Sequence, residues 1–322
     1  MASPNAVFTE LVTTTFRKHY DELKDNVTRN NAALRKFRKM GKFRKEDGGL
    51  SIAIPLEYAE NATYQRYSGY DVLNVSQSDV MTAAEYQWRQ VAVNVVASGR
   101  ELRINSGSER ILNLAKSRLK NAMNTFNNNF SFDIYSDGSL SNQINGLQSI
   151  IPDSGLNTIG GINGNTWTFW RPWVQSAAAP LQGGSAVVVG PSTIEGLMLG
   201  LYLNLIRGAD EPDLAIASND YFQYFEQSQT SMKRYTGEDA DAGFVSLKYK
   251  NMDVIFDGNS GIPASHLYML NTEYFEVVEH KDAAMTVSEE TRPYNQDAVV
   301  IPVLWMGNLV CSNRFLQGVV KS

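Results

Sequence analysis

Between Arg35 and Lys45, seven of eleven residues are cationic: Arg35, Lys36, Arg38, Lys39, Lys42, Arg44 and Lys45. Through Gly48-Gly49 this basic run passes into a strand-like stretch rich in tyrosine, asparagine and glutamine. Neither part carries enough contiguous apolar surface to bury itself. The chain as a whole, 322 residues with 43% hydrophobic, is long enough to build a substantial core without staples. A segment that needs something else to complete it, joined to an ordinary folding chain, points to assembly.

The charge is uneven. The net value is -5, yet Arg17 to Asp47 holds eleven Lys or Arg against five acids, and the chain from Gly48 onward is correspondingly acidic. A basic head on an acidic body can pair with the bodies of neighbouring copies, face nucleic acid, or form the solvated face of a helix. Apolar runs such as Leu197 to Ile206 and Ala298 to Met306 fall short of the ~20 residues that span a bilayer, so no membrane partner is expected. The beginning of the chain lacks the apolar core of a secretory signal, and folding in a reducing cytoplasm is expected. Cys311, the only cysteine, has no partner for an intrachain disulfide.

Phe8, Leu11, Val12, Phe16, Tyr20, Leu23 and Val27 recur at helical steps and give one narrow apolar face, which must dock on something. Leu50, Ile52 and Ile54, and again Val91, Val93 and Val95, alternate as strands do. Between them Tyr58, Tyr64, Tyr67 and Tyr70 stand among Asn, Gln, Arg66 and Ser, as a long hairpin or loop of the kind found at protein interfaces. The capping box Ser106-Gly107-Ser108-Glu109 opens a helix. Its apolar face runs from Ile111 through Leu119, Met123, Phe126 and Phe130 to Ile134, roughly 45 Å. A Gly- and Asn-rich region follows to Asn165, and Trp167, Phe169, Trp170 and Trp173 are read as core or interface aromatics. A second box, Ser192-Thr193-Ile194-Glu195, starts a helix that Gly208 stops. Strands are expected at Leu214 to Ala217, Asp253 to Phe256, Leu267 to Leu270, Phe275 to Val278 and Ala298 to Trp305, and a helix at Tyr221 to Arg234. Helices and strands mix without a regular βαβ repeat, so the class is α+β.

The chemistry of common enzymes is missing from the sequence. There is no phosphate-binding Gly-x-x-x-x-Gly-Lys-Ser/Thr loop, no dinucleotide fingerprint and no Gly-x-Ser-x-Gly elbow. His19, His266 and His280 are scattered, without the spacing of zinc ligands. Glu238-Asp239-Ala240-Asp241 lacks the length of a calcium loop, and Asp210-Glu211-Pro212-Asp213 fits a turn. No catalytic residue, metal or cofactor is expected.

The succession of basic arm, long β-loop, long capped helix, glycine-rich turn and closing strands resembles the HK97-like major capsid proteins of tailed bacteriophages over nearly the whole chain. The most specific stretch is Val91-Ala92-Val93-Asn94-Val95-Val96-Ala97-Ser98-Gly99-Arg100-Glu101-Leu102 leading to the helix, then Asp133, Gly138 and Asn145-Gly146-Leu147. The resemblance implies an N-terminal arm at 1–47, an extended E-loop at 48–104, a peripheral domain with a spine helix at 105–190, an axial domain at 191–265, and a return to the peripheral domain at 266–322. It implies a self-assembling, non-enzymatic shell of hexamers and pentamers around double-stranded DNA, with separate scaffolding, portal and decoration proteins, located in the virion and assembled in the host cytoplasm. Contacts between subunits would come from the basic arm, from Tyr58, Tyr64, Arg66, Tyr67 and Tyr70 of the E-loop, and from Glu289, Glu290, Arg292 and Asn295 near a local threefold.

Two departures from the family's pattern stand out. The arm is short and starts at Met1, so a scaffolding segment cleaved from this chain is not expected. Gln65 to Gln87 contains no Lys, so the Lys-to-Asn cross-link of some members is not expected either. An encapsulin-like compartment shares the same fold, and a nucleic-acid-binding protein using the basic arm is the alternative from another class.

Overall fold

The computed structural model describes residues 32–104, 108–229, 246–257 and 261–322. The helical pattern of Phe8 to Val27, His19, the Ser106-Gly107 cap, the Glu238–Asp241 turn and the end of the helix expected to reach Arg234 lie outside the described residues.

The first described element is helix α1 (Ala32–Lys39), followed by strand β1 (Phe43–Glu46). Ala33, Leu34 and Phe37 on one face of α1 are buried in the main core, so this part of the basic run is built into the body. Strands β2 (Ile52–Glu57) and β3 (Met81–Tyr86) form an antiparallel hairpin, and β4 (Arg89–Ser98) leads into the short helix α2 (Gly99–Ile104). The long helix α3 spans Ser108–Ile134, 27 residues.

A four-stranded sheet takes the order β1-β12-β13-β4, with β12 (Phe275–Val287) and β13 (Ala298–Cys311) as its long central pair. β1 joins β12 in parallel, Phe43 opposite Val277, and β4 runs antiparallel to β13 along its whole length, Arg89 opposite Gly307 and Ser98 opposite Ala298. Helix α3 lies against this sheet. Leu119 and Ala122 meet Val95, Val299 and Ile301, and Phe130 packs edge-on to Trp305 at 4.9 Å between ring centres. The three- and four-residue spacing of the buried Leu119, Met123, Phe126, Phe130 and Ile134 is what fixes this contact. β12 breaks register with β13 between Glu279 and Ala284, a bulge on that side of the strand, while His280 stays paired with Glu46 of β1.

The second sheet has six strands in the order β7-β14-β11-β8-β10-β9: β7 (Trp173–Ser176), β14 (Gly318–Lys321), β11 (His266–Leu270), β8 (Leu214–Ala217), β10 (Met252–Phe256) and β9 (Ser246–Tyr249). Period-two alternation sorts its side chains between two cores. Leu214, Ile216, Tyr268 and Leu270 enter the main core, whereas Ala215, Ala217, Leu267 and Met269 pack under α5 (Ile194–Leu205) and α6 (Asn219–Ser228). Covered on both faces, β8 and β11 are buried along their full lengths, which explains their uninterrupted apolar sequences.

The chain turns sharply after α3. Ser136 donates from Oγ to the Ile144 carbonyl at 2.5 Å and accepts from the Gly146 amide at 3.1 Å. A β-carbon on Gly146 would lie 2.2 Å from the Ser136 nitrogen and 2.7 Å from the Asp133 carbonyl oxygen. Gly146 therefore permits backbone-to-backbone contact at the helix end, and the one-turn helix α4 (Leu147–Ile150) starts there. Asn308, fully buried on β13, accepts from the Asn145 amide at 2.9 Å and donates to the Gln87 carbonyl at 2.8 Å, tying this turn to the hairpin. β5 (Thr158–Ile159) and β6 (Ile162–Asn163) close a small hairpin whose Gly160-Gly161 turn has positive φ at both residues.

Candidate assembly surface

Of the stretch expected to extend as an E-loop, β2, β3 and β4 are held by the body. Ile52, Leu56, Ala84 and Tyr86 are buried in the main core, and the Tyr86 hydroxyl donates to the Cys311 carbonyl at 2.9 Å. Residues 58–80 are different. They have no helix or strand, and among them Tyr64 is 84% exposed, Tyr67 66%, Tyr70 106% and Val75 91%. Such a run of aromatic and branched side chains on one loop goes beyond the single exposed apolar residues normal on a surface.

The loop is nevertheless organised. Its two legs are tied where Tyr58 N–H meets the Val80 carbonyl at 3.0 Å and the Ala62 amide meets Ser78 Oγ at 3.3 Å. Further out, Gln65 Nε2 donates to the Val72 carbonyl at 3.0 Å and its Oε1 accepts from the Asn74 amide at 3.1 Å. Arg66 to Asp71 form the tip, closed by the Ser68 amide donating to Asp71 Oδ2 at 2.8 Å. Tyr58 belongs to the body instead: its ring meets Trp167 edge-on at 5.5 Å and Phe169 at 5.9 Å. Burial, with the neighbouring Asp79 carboxylate, raises its hydroxyl above the ordinary tyrosine range. The five residues expected to make loop contacts thus divide, with Tyr58 as the anchor and Tyr64, Arg66, Tyr67 and Tyr70 on the projecting part.

The basic run divides as well. Lys36 is buried, and its Nζ lies 2.6 Å from Asp253 Oδ2 on β10, so it is spent inside the chain and corrects the expectation of an outward-facing cation. Arg44 on β1 pairs with Glu46 at 2.8 Å and with Glu276 on β12 at 3.2 Å. Arg35 and Lys42 are half-buried, while Arg38, Lys39 and Lys45 are exposed. A stripe that looks uniformly cationic in sequence is partly neutralised once folded.

Glu289, Glu290, Arg292 and Asn295 lie on the connection between β12 and β13, where Tyr294 is fully exposed. This connection is anchored against the start of α2. The Gly99 amide donates to the Asp297 carbonyl at 2.8 Å, and Arg103 pairs with the Asp297 carboxylate at 3.0 Å. A β-carbon on Gly99 would meet the Asp297 carboxylate, which would have to shift away. Ser98 and Glu101 form a capping box that the sequence reading missed. The Glu101 amide donates to Ser98 Oγ at 3.3 Å, and the Ser98 amide donates to Glu101 Oε2 at 3.2 Å. The Ser98 amide and the Ser98 hydroxyl, which also donates to Glu101 Oε2 at 3.1 Å, together with Arg118 Nη2 at 2.7 Å, hold the Glu101 carboxyl below its ordinary range. The signal Ser-x-x-Glu was present, but it sat at the end of a strand pattern.

The box expected at Ser192 is displaced. Thr193 is the N-cap residue of α5, and Glu195 accepts from Ser228 Oγ at 3.1 Å and Gln229 Nε2 at 2.8 Å at the end of α6. Among the described residues, no group of three or more His, Cys, Asp or Glu is placed to hold a metal ion, and no helix is long and apolar enough to cross a membrane.

No protein-family model matches the chain, and no curated protein matches it. Solved structures do. The capsid asymmetric unit of cyanophage A-1(L) aligns with a TM-score of 0.59 at 12% identity, over 87% of this chain and 90% of that one. The capsid of an empty GTA particle aligns at 0.55 and 12% identity over 88% of each chain. A Mycobacterium phage Bobi chain aligns at 0.53 and 9% identity, over 88% of this chain and 89% of that one. At such identities the likeness is one of architecture: this chain has the mixed α+β, HK97-like fold of phage capsid subunits, as its sequence implied.

Proposed function

We propose that this chain is a structural major capsid protein, assembling as hexamers and pentamers into a closed shell around double-stranded DNA. The observation that carries the proposal is the loop 58–80, which on a capsid-type fold presents Tyr64, Tyr67, Tyr70 and Val75 to solvent while all its hydrogen bonds quoted above stay within the loop. Two-stranded projections are marginal in water and gain stability by lying on another surface. The loop then serves as the E-loop laid over an adjacent copy. The connection bearing Glu289, Glu290, Arg292 and Asn295 meets neighbours at a local threefold, and exposed Arg38, Lys39 and Lys45 face either an acidic neighbour or the packaged DNA. Each exposed ion pair contributes only about 0–1 kcal/mol, but a shell repeats it many times. Scaffolding, portal and decoration proteins are separate partners on this reading, and assembly takes place in the host cytoplasm before the protein is found in the virion. Electron microscopy of the purified full chain tests it. Shells or ring-shaped capsomers are expected, and a uniform monomer or dimer at high concentration would overturn it.

A further inference from the structure

At the foot of the projecting loop, a cavity of about 540 Å³ opens between the end of β2, the Phe169–Trp170 turn and the segment after β13. Phe169, Trp170, Tyr274 and Phe315 form aromatic walls, and Glu57 and Arg207 supply one charge of each sign. We infer that this cavity is the receptor for the loop tip of a second copy, with Tyr67 and Tyr70 as the inserted side chains. The inference rests on the shell reading and names the surface on which the loop lands.

Three observations lead there. The first is chemical match: aromatic rings prefer tilted or edge-on contact with other rings, and two tyrosines carry large apolar area with a polar end that can stay wet. The second is charge. The tip bears Arg66 and Asp71, one of each sign, against Glu57 and an Arg207 that remains 60% exposed beside Asp210. The third is reach. The two legs are tied to each other at 58/80, 62/78 and 65/72, so the tip from Arg66 to Asp71 is presented at the far end of a loop fastened along its length. Tyr67 and Tyr70 remain 66% and 106% exposed and do not line the cavity of their own chain, which leaves both the rings and the cavity for a second copy. Phe169 links the two ends of the device, since it both steadies Tyr58 and lines the cavity.

Two variants that each add one cysteine test this, Tyr67→Cys and Asn313→Cys, the second at the cavity wall. The native Cys311 is fully buried and its thiol is pushed up to about 12 by burial, so it supplies a quiet background. The two variants are mixed, assembled, oxidised and run on a non-reducing gel. Disulfide-linked dimers are expected in the particle fraction of the mixture and not in particles of either variant alone. Particles that form without the cross-link would overturn the inference and leave the shell reading standing; failure of the wild-type chain to form particles would overturn the shell reading itself. A double variant that forms an intrachain link in unassembled subunits would overturn the choice of a second copy. If Asn313→Cys does not fold, Glu57→Cys on the exposed rim replaces it.

Discussion

Replacing Lys36 with Met measures how far the basic run is part of the body. The side chain is 10% exposed and Asp253 22%, and the two charges meet at 2.6 Å between α1 and β10, elements 217 residues apart in sequence. A pair with charge centres near 4 Å in surroundings of effective dielectric about 20 gains roughly 4 kcal/mol of attraction, from which the cost of dehydrating both ions is subtracted. Methionine keeps most of the aliphatic stem that packs on the core, so the variant isolates the ammonium and leaves Asp253 without its partner. Breaking a fully buried pair this way costs about 3–5 kcal/mol; the residual exposure of Asp253 brings the expectation below that range, to about 2–3 kcal/mol. Urea unfolding of dissociated subunits, followed by circular dichroism, reads the loss from the midpoint and slope. Arg44→Met is the control: its side chain is 44% exposed in its pairs with Glu46 and Glu276, and a change within about 0.5 kcal/mol is expected. A double variant with Asp253→Asn should lose less than the sum of the singles, because both changes act on one pair. A Lys36→Met loss as small as that of Arg44→Met would refute the reasoning and return this lysine to the set of outward-facing cations.

The triple variant Tyr64→Ser/Tyr67→Ser/Tyr70→Ser should leave subunit stability within about 0.5 kcal/mol per site while abolishing or greatly slowing particle formation, read by light scattering; a loss of stability with assembly intact would show the loop to be structural. Gly146→Ala should destabilise by about 3 kcal/mol or fail to fold, since its β-carbon meets backbone at 2.2 Å, and unaltered thermal unfolding would contradict that geometry. Burial acts to raise the Asp220 carboxyl, but hydrogen bonds from Ser218 Oγ at 2.5 Å and Ser265 Oγ at 2.7 Å outweigh it and hold the group below its ordinary range. Its contribution is therefore complete above the unfolded value of about 3.9 and lost as pH falls through the folded value. The gap in urea midpoint between wild type and Asp220→Asn should accordingly be present at neutral pH and close in acid, and a gap unchanged by acid would contradict the assignment.

The parts of the fold legible in the sequence are those where one periodicity acts over many residues. Leu119 to Ile134 announced a helix with one buried stripe, and Leu214 to Ala217 and Leu267 to Leu270 announced strands, which the fold buries on both faces. β1 was hidden because Phe43-Arg44-Lys45-Glu46 has the composition of a solvated arm; its backbone bonds to β12, far along the chain, make it a strand. β14 was hidden for a related reason: four residues beginning with Gly318 show no period, and its neighbours β7 and β11 come from distant segments. Arg314 gave no sign of its place. It is fully buried, donating to the Ile150 carbonyl at 2.8 Å and to Asn157 Oδ1 at 2.5 Å above the Trp170 ring, and burial lowers its guanidinium to about 10. At the candidate site, tyrosines set among polar residues marked the loop correctly as surface, but nothing local separated the anchor Tyr58 from the exposed Tyr64, Tyr67 and Tyr70. That distinction depends on Trp167 and Phe169, more than a hundred residues away in sequence.

On the shell reading, residues 58–80 complete their structure on another copy of the chain. Electron microscopy of the purified full-length protein across a concentration series tests it most directly. Closed shells or ring-shaped capsomers, with density for residues 58–80 lying on the adjacent subunit, are the expected result. A protein that stays a uniform monomer or dimer at the highest concentration, with that loop in solvent, would contradict self-assembly through the loop.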